Sequence, residues 1–209
     1  LQDFKTLERL GLAECPVDGN ALEFLAELPL RELDLALTPI EPKALQHVAK
    51  LKGLCTLSLA GTKLEDRDLT PLSALRSLET LRLDGCRQIG ERGFRWRWGG
   101  GRKLKRLSLR ASGLGNHGCD WPEGLETLVV ADTDAGDRVL RSLDHCRHLR
   151  EVDFSKTSLD DRALSYLRNV LKRKSLERLV VTGTKITEAG LRAWEKRYKD
   201  RYPKLVIER

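Results

Sequence analysis

The amino-acid sequence predicts an α/β solenoid, in which strand–turn–helix units stack side by side and share one hydrophobic core. The first observation behind this prediction is a leucine pattern, L-x-x-L-x-L-x-x-T/C-x-L/I. It occurs eight times, with part of a ninth copy at the end, at intervals of 21 to 27 residues. The second is a change of spacing within each copy, from the two-residue period of a strand to a helical period. One unit alone cannot bury its leucines, so the units are expected to stack.

Each copy is expected to begin with a short strand whose central residue is the second leucine of the pattern. The nine central positions are Leu10, Leu33, Leu57, Leu81, Leu107, Leu128, Val152, Leu179 and Leu205. Because side chains alternate across a strand, the residues beside these positions are expected to face solvent, since a one-residue shift would turn the leucines outward. The outward row that follows the central leucines reads Gly11, Asp34, Ser58, Arg82, Ser108, Val129, Asp153, Val180 and Val206.

A turn is expected after each strand, at the ninth position of the pattern. Small polar residues occupy this position, namely Cys15, Thr38, Thr62, Cys86, Ser112, Thr133, Thr157 and Thr184. A hydroxyl or thiol can satisfy backbone groups where the chain leaves the strand. We therefore interpret these residues, the two cysteines included, as a structural ladder.

A helix is expected after each turn. Leucines are spaced three apart at 69–75, and three and four apart at 164–171, which is a helical period. Asp160 and Thr187 occupy positions where an N-cap would accept a free backbone N–H.

These features resemble the leucine-rich repeat family, and the resemblance covers the chain from Leu7 to Ile207. The segment Thr184–Leu191, with similar segments at Thr62–Leu69 and Thr157–Leu164, resembles the bacterial G-T-x-[IL]-T-D-x-G-L subclass, which is similar to the cysteine-containing repeats of F-box proteins. The resemblance implies a curved, right-handed horseshoe with a concave parallel β-sheet and convex helices. It also implies a surface used chiefly for binding proteins.

We interpret residues 1–209 as a single leucine-rich repeat domain of about eight repeats. A C-terminal capping helix and strand are expected to follow them, because Leu191, Trp194, Tyr198 and Tyr202 share one helical face. At the other end, only Leu1 to Thr6 precede the first repeat. We expect that edge to be covered by preceding residues of the natural protein or by another chain.

Composition argues for a chain outside the membrane and in a reducing compartment. No apolar run approaches the roughly 18 residues of a membrane helix, and the first residues lack the pattern of a secretion signal. Five cysteines, an odd number spread evenly along the chain, favour free thiols. The sequence therefore favours a cytoplasmic protein without a membrane partner.

No motif indicates an enzyme. His117, His145 and His148, with Cys119 and Cys146, could in principle bind zinc, but they lack a C-x-x-C pair and fall at different offsets in their repeats. The Gly99–Gly101 run lacks the frame of a phosphate-binding loop, and no nucleophile elbow is present. We expect no catalytic residue, no metal and no cofactor.

The positive charge of the chain is concentrated in one segment. Nine basic residues and one acidic residue lie between Arg87 and Arg110, which gives that segment a net charge of +8 against +7 for the whole chain. On the outward strand face, Arg82, Arg106 and Arg110 form the expected basic centre, beside a mildly apolar end at Val129, Val180 and Val206. That face is predicted to carry no aromatic side chain.

The segment 93–103 is the least regular part of the sequence, because Arg95, Trp96, Arg97 and Trp98 alternate and three glycines follow. In one interpretation, Phe94 and Trp98 replace core leucines and the arginines are solvated. In the other, Trp96 and the arginines protrude as an anchor for an acidic or planar partner.

Two functions are compatible with these observations. The first is a non-catalytic protein-interaction module or scaffold that binds an acidic partner surface through repeats 4 and 5. Its candidate partner-binding residues are Arg82, Arg95, Trp96, Arg97, Arg102, Arg106 and Arg110. The alternative is a nucleic-acid- or ribosome-associated protein that uses the same basic patch on phosphates.

Overall fold

Nine short parallel strands form a single sheet in the structure, a computed structural model that describes residues 4–17, 19–94, 103–171 and 175–209. The strands are β1 (Arg9–Gly11), β2 (Glu32–Asp34), β3 (Thr56–Ser58), β4 (Thr80–Arg82), β5 (Arg106–Ser108), β6 (Thr127–Val129), β7 (Glu151–Asp153), β8 (Arg178–Val180) and β9 (Val206–Glu208). Each strand pairs with the next one along the chain, so sequence order is also spatial order. The predicted α/β architecture with a parallel sheet is confirmed.

The predicted register is confirmed for the first eight strands. The central leucines pair directly across the sheet, with Leu81 beside Leu107 and Leu107 beside Leu128. From Leu33 to Leu179 these central side chains are at most 2% exposed. They form one row of a core that runs through all the repeats. The residues on either side of this row face away from it, as strand alternation requires.

The prediction for the ninth strand was wrong by two residues. Ile207, not Leu205, pairs with Leu179, and Val206 therefore lies beside Arg178 rather than beside Val180. Alternation of apolar and polar residues cannot detect this error, because a shift of two leaves the same side chains on the same face. The expected apolar end of the outward row is reduced accordingly: Val206 lies in another row, and Val180 is buried.

The helices on the other side of the core are short and of two kinds. The α-helices are α1 (Leu45–Val48), α2 (Asp137–Ser142), α3 (Ala163–Leu171) and α4 (Glu188–Tyr198). Among the described residues, 3₁₀ helices with both ends defined are Gly19–Glu27, Pro42–Ala44, Asp66–Ala74, Glu91–Phe94, Leu143–His145 and Lys199–Arg201.

Leucine spacing explains which kind of helix forms in the longer segments. Residues three apart eclipse one another in a 3₁₀ helix, so Leu69 and Leu72 both point to the core from Asp66–Ala74, and Leu75, just after this helix, is also buried. A spacing of three and then four, as at 164–171, instead fits the 3.6-residue turn of α3. The prediction of a helix at both places is confirmed, and the first of them is the tighter 3₁₀ form.

Repeat five departs from the prediction, because its described residues between β5 and β6 form turns and bends without a helix. Trp121 occupies the core there and is 6% exposed. Its ring stacks on Phe94 with a centroid separation of 5.9 Å, and its indole N–H donates to Ser142 Oγ at 2.9 Å. At 21 residues this repeat is the shortest, and one large aromatic side chain fills the space of a helix.

The turn ladder is confirmed for its five threonines and for Cys86. The hydroxyls of Thr62, Thr157 and Thr184 each donate to the carbonyl three residues earlier, at 2.7 to 2.8 Å. The Cys86 thiol lies 3.1 Å from the Leu59 carbonyl oxygen of the preceding repeat. These side chains satisfy buried backbone acceptors that no strand reaches.

The residue before each ladder position has a left-handed backbone, with φ between 53° and 73°. These residues are Glu14, Leu37, Gly61, Gly85, Ala111, Asp132, Lys156 and Gly183. All eight repeats therefore leave the sheet through the same tight turn. This shared turn keeps successive strands in register.

Neighbouring repeats are also tied together beyond the sheet by side chains that accept backbone N–H groups of the next repeat. Asp66 accepts the Gly90 N–H at 2.7 Å, and Asp161 accepts the N–H of Thr187 at 2.8 Å. Thr187 in turn accepts the Gly190 N–H at 2.9 Å, which confirms the predicted N-cap of α4. Asp160 accepts the Arg162 N–H at 2.8 Å, but Arg162 precedes α3, so this bond belongs to the turn and is not the predicted N-cap.

Gly113 allows the turns of repeats four and five to approach closely. A Cβ atom at this position would overlap the backbone carbonyl of Arg87 and lie 3.2 Å from the Ile89 carbonyl oxygen. We expect Gly113→Ala to lower the free energy of unfolding by about 2 kcal/mol, because backbone, unlike a flexible side chain, cannot move aside alone. Urea unfolding checks this. Gly11→Ala is the control. The added Cβ atom meets no other part of the chain within 4 Å, so the free energy of unfolding should stay nearly unchanged.

The two ends of the core differ. At the C-terminal end, Leu191, Trp194 and Tyr202 are buried, and the ring centroids of Trp194 and Tyr202 lie 6.3 Å apart. At the N-terminal end, Leu10 and Leu12 are only half-buried, and β1 has one neighbouring strand.

Candidate functional site

Three of the predicted site residues lie together on the solvent face of the sheet. Arg82 ends β4, Arg106 begins β5, and Arg110 follows two residues after β5. The side chains of Arg82 and Arg110 are 59% and 50% exposed, and Arg106 is also exposed. Adjacent parallel strands place these guanidinium groups on one surface, which we call the arginine surface: Arg82, Arg106 and Arg110.

Carboxylates occupy part of the arginine surface. Arg82 is paired with Asp84 at 3.3 Å, and Arg110 with Asp153 at 2.9 Å. Arg106 instead donates from Nε to the Thr80 hydroxyl at 3.1 Å. Of the three arginines, Arg106 is the one without an acidic partner among the described residues.

Asp84 organises this surface, although no feature of the sequence singles it out. Its Oδ1 accepts the Ser108 hydroxyl and also the backbone N–H of Arg110, the latter at 3.1 Å. Its Oδ2 pairs with Arg82. A single carboxylate thus fixes groups from two strands, and it lowers the net positive charge that the sequence predicts there.

Similar pairing continues toward the C-terminal strands. Arg178 bridges Glu151 at 2.6 Å and Glu208 at 2.7 Å. The hydrogen bond from Arg178 holds the pKa of the Glu208 carboxyl below its usual value. The sheet face therefore carries alternating charges rather than a uniform basic field.

Four of the predicted site residues, Arg95, Trp96, Arg97 and Arg102, lie outside the described residues, as does Trp98. Phe94, at the start of the same segment, is fully buried against Trp121. For Phe94 the core interpretation is therefore confirmed.

Burial separates the thiols into two groups. Cys86, Cys119 and Cys146 are buried, whereas Cys15 and Cys55 are half-buried. Burial, with smaller contributions from Asp144 and Glu123, raises the pKa of the Cys146 thiol to about 12. Burial also raises the pKa of Cys86.

These differences predict the order of thiol alkylation. With iodoacetamide at about pH 8, Cys15 and Cys55 should react first, because a neutral buried thiol is neither nucleophilic nor accessible. Mass spectrometry of the modified chain gives the rate at each cysteine. If Cys146 of the folded protein were alkylated at the same rate as Cys55, the buried position of Cys146 in the core would be contradicted.

The histidines and cysteines considered as metal ligands are dispersed. His117 lies 3.5 Å from Glu91, and His145 is hydrogen-bonded to Asp144. Within the described parts of the chain, no three His, Cys, Asp or Glu side chains are grouped so that they could hold a metal ion. The same residues contain no helix long and apolar enough to cross a membrane.

Comparison with known proteins agrees with the repeat architecture. A family model described as Leucine Rich repeat matches residues 145–167, which include β7 and the beginning of α3. No curated protein matches the chain. Together with the nine-stranded parallel sheet, the family match supports a protein of the leucine-rich repeat class. Repeats of this class generally mediate protein–protein interaction.

Proposed function

We propose that this chain is a non-catalytic protein-interaction module that binds an acidic surface of another protein through repeats 4 and 5. The proposed contacts are the arginine surface together with Arg95, Trp96, Arg97 and Arg102. The observation that carries the proposal is Arg106, an exposed guanidinium without an acidic partner in the described structure, on the same surface as two arginines that are already oriented by carboxylates. A carboxylate of a partner would complete this row.

The charges of the sheet face favour a protein partner over nucleic acid. Glu32, Asp84 and Asp153 lie among the arginines on the outward rows. A phosphodiester backbone crossing these rows would meet carboxylates as often as arginines. An acidic protein surface can instead interleave its own basic residues with them.

We also propose the further features that the resemblance to the leucine-rich repeat family implies. They are a right-handed horseshoe with the arginine surface on its concave side, membership of the bacterial subclass, one domain over residues 1–209, and a cytoplasmic location. A concave sheet would place Arg82, Arg106 and Arg110 around a convex partner.

A glutamate-rich probe peptide and a thymidine oligonucleotide of equal charge test the proposal. We expect the peptide to bind at low salt and the oligonucleotide to bind about tenfold more weakly. Tighter binding of the oligonucleotide, with a loss of several powers of ten in affinity from about 50 to 200 mM salt, would instead establish the nucleic-acid alternative. Absence of peptide binding would contradict the proposal.

We further propose that additional polypeptide covers the N-terminal edge, supplied either by preceding residues or by another chain. Leu10 and Leu12 are half-buried, whereas the equivalent Leu33 and Leu35 in the second repeat are buried. In the described part of the chain, β1 also lies at the open edge of the sheet. Gel filtration and limited proteolysis should show either self-association or early cleavage near β1. A stable monomer with a protease-resistant first repeat would contradict this.

A further inference from the structure

A basic surface pocket lies beside the amino ends of the strands, outside the arginine surface. It has a volume of about 500 Å³. Arg31, Cys55 and Glu79, which immediately precede β2, β3 and β4, contribute to one side. Lys50 and Lys52 contribute from the turn after α1. Lys103, just before β5, also lines the pocket.

The cations of this pocket outnumber its carboxylates. The exposed Lys50 and Lys103 have no ion pair among the described residues. Arg31 has only a 3.7 Å pair with Glu8, in which both side chains are more than half exposed, so the pair is weak. Glu79 is engaged by Lys105 at 3.0 Å. Glu8 is the other carboxylate of the lining, so four cationic and two carboxylate side chains line the pocket and its net charge is positive.

One cation is already positioned. Lys52 Nζ donates to the Ala49 carbonyl at 2.7 Å, at the carboxyl end of α1. This bond holds the ammonium group at the rim of the pocket and leaves two of its N–H donors for a ligand.

We infer that this pocket binds carboxylate side chains of an acidic protein segment, and that the same partner also contacts the arginine surface. This inference rests on the proposed function and adds a second contact region to it. Lys103 is three residues from Arg106, so about 10 Å of extended chain separates the two regions at most. One acidic segment can reach both.

The surroundings of the pocket favour carboxylates of a protein over a continuous polyphosphate. The position just before each strand alternates in sign along most of the sheet. It carries Glu8, Arg31, Cys55, Glu79, Lys105, Glu126, Arg150 and Glu177. A uniformly charged nucleic acid that follows this row would repeatedly meet glutamates. A short acidic segment can instead be confined to Lys50, Lys52 and Lys103, which line the pocket outside the row.

The test compares three forms of the full chain for binding of the glutamate-rich probe peptide by fluorescence anisotropy. Lys50→Glu with Lys103→Glu alters the pocket at two exposed sites. Lys63→Glu with Lys196→Glu makes the same change in net charge at exposed lysines elsewhere and is the matched control. We expect the pocket variant to lose about tenfold in affinity and the control to remain within about twofold of the unaltered chain.

Thiol protection locates the peptide independently. Cys55 lines the pocket and Cys15 does not, and both are half-buried. Saturating peptide should slow iodoacetamide modification of Cys55 while leaving Cys15 unchanged. Equal slowing of both thiols, or of neither, would overturn the inference.

The outcomes separate this inference from the proposed function. If Arg106→Glu with Arg110→Glu weakens peptide binding but the pocket variant binds like the control, the pocket inference is wrong and the proposed function stands. If the unaltered chain does not bind the peptide, both are wrong. If the thymidine oligonucleotide protects Cys55 at lower concentration than the peptide, the pocket serves nucleic acid and the inference is overturned.

Discussion

Leu107→Ala should lower the free energy of unfolding by about 2 to 5 kcal/mol, because it leaves a cavity at the centre of the shared core. Leu107 is 1% exposed, and its neighbours on the adjacent strands are Leu81 and Leu128, both fully buried. Two neighbouring repeats lose contacts at once, and the short strands leave little freedom to collapse into the space. Urea unfolding followed by circular dichroism measures the loss.

Leu10→Ala is the matched control for this prediction. Leu10 occupies the same position of the pattern in β1, but it is half-buried and has a neighbour on one side only. The same chemical change should therefore cost less than half as much as at Leu107, since less apolar surface is removed from contact. Equal losses at the two positions would show that the core does not run through the central repeats as described.

Arg106→Glu combined with Arg110→Glu should abolish binding of the glutamate-rich peptide without unfolding the chain. Both side chains are exposed, and the change reverses two of the three charges of the arginine surface. The new carboxylate at position 110 would lie near Asp84 and Asp153, which adds repulsion toward an acidic partner. We expect a loss in affinity of about a hundredfold or more, measured by anisotropy at low salt.

The structure also predicts an order among single charge reversals. Arg82 and Arg110 already have acidic partners, so their charge is partly compensated, whereas Arg106 is available. Arg106→Glu alone should account for most of the loss, and Arg82→Glu for less. Lys63→Glu with Lys196→Glu again controls for net charge. A loss as large in this control as in the arginine variant would mean that the peptide responds to overall charge and not to this surface.

Much of the fold followed from the sequence because leucine spacing reports directly on burial. The two-residue period of the leucines predicted the strands, and the small polar residue after each strand predicted the turns. In the structure, the Thr62 and Thr157 hydroxyls form hydrogen bonds in these turns. The sequence also distinguishes the two kinds of helix: leucines spaced three apart occur in a 3₁₀ helix, and leucines spaced three and then four apart occur in an α-helix. The predicted register of the ninth strand was wrong by two residues, because the alternation of apolar and polar side chains is the same after a shift of two.

Side-chain partners could not be predicted, because they depend on contacts between distant repeats. Arg110 reaches Asp153, 43 residues later, across the intervening strand β6. Trp121 replaces a helix in repeat five, which a single-sequence period cannot reveal. Arg82, Arg106 and Arg110 were thus correctly placed on the solvent face, while the carboxylates that pair with two of them were not anticipated.

The register of β5 is tested most directly by the alkylation rates of thiols introduced in two separate variants, Arg106→Cys and Leu107→Cys. In the folded chain, the thiol at position 106 should react with iodoacetamide as fast as one in an unfolded peptide. The thiol at position 107 should react about a hundredfold more slowly, because it is reached only when the core opens. Equal rates, or protection at 106 with exposure at 107, would contradict the register on which both the core and the arginine surface depend.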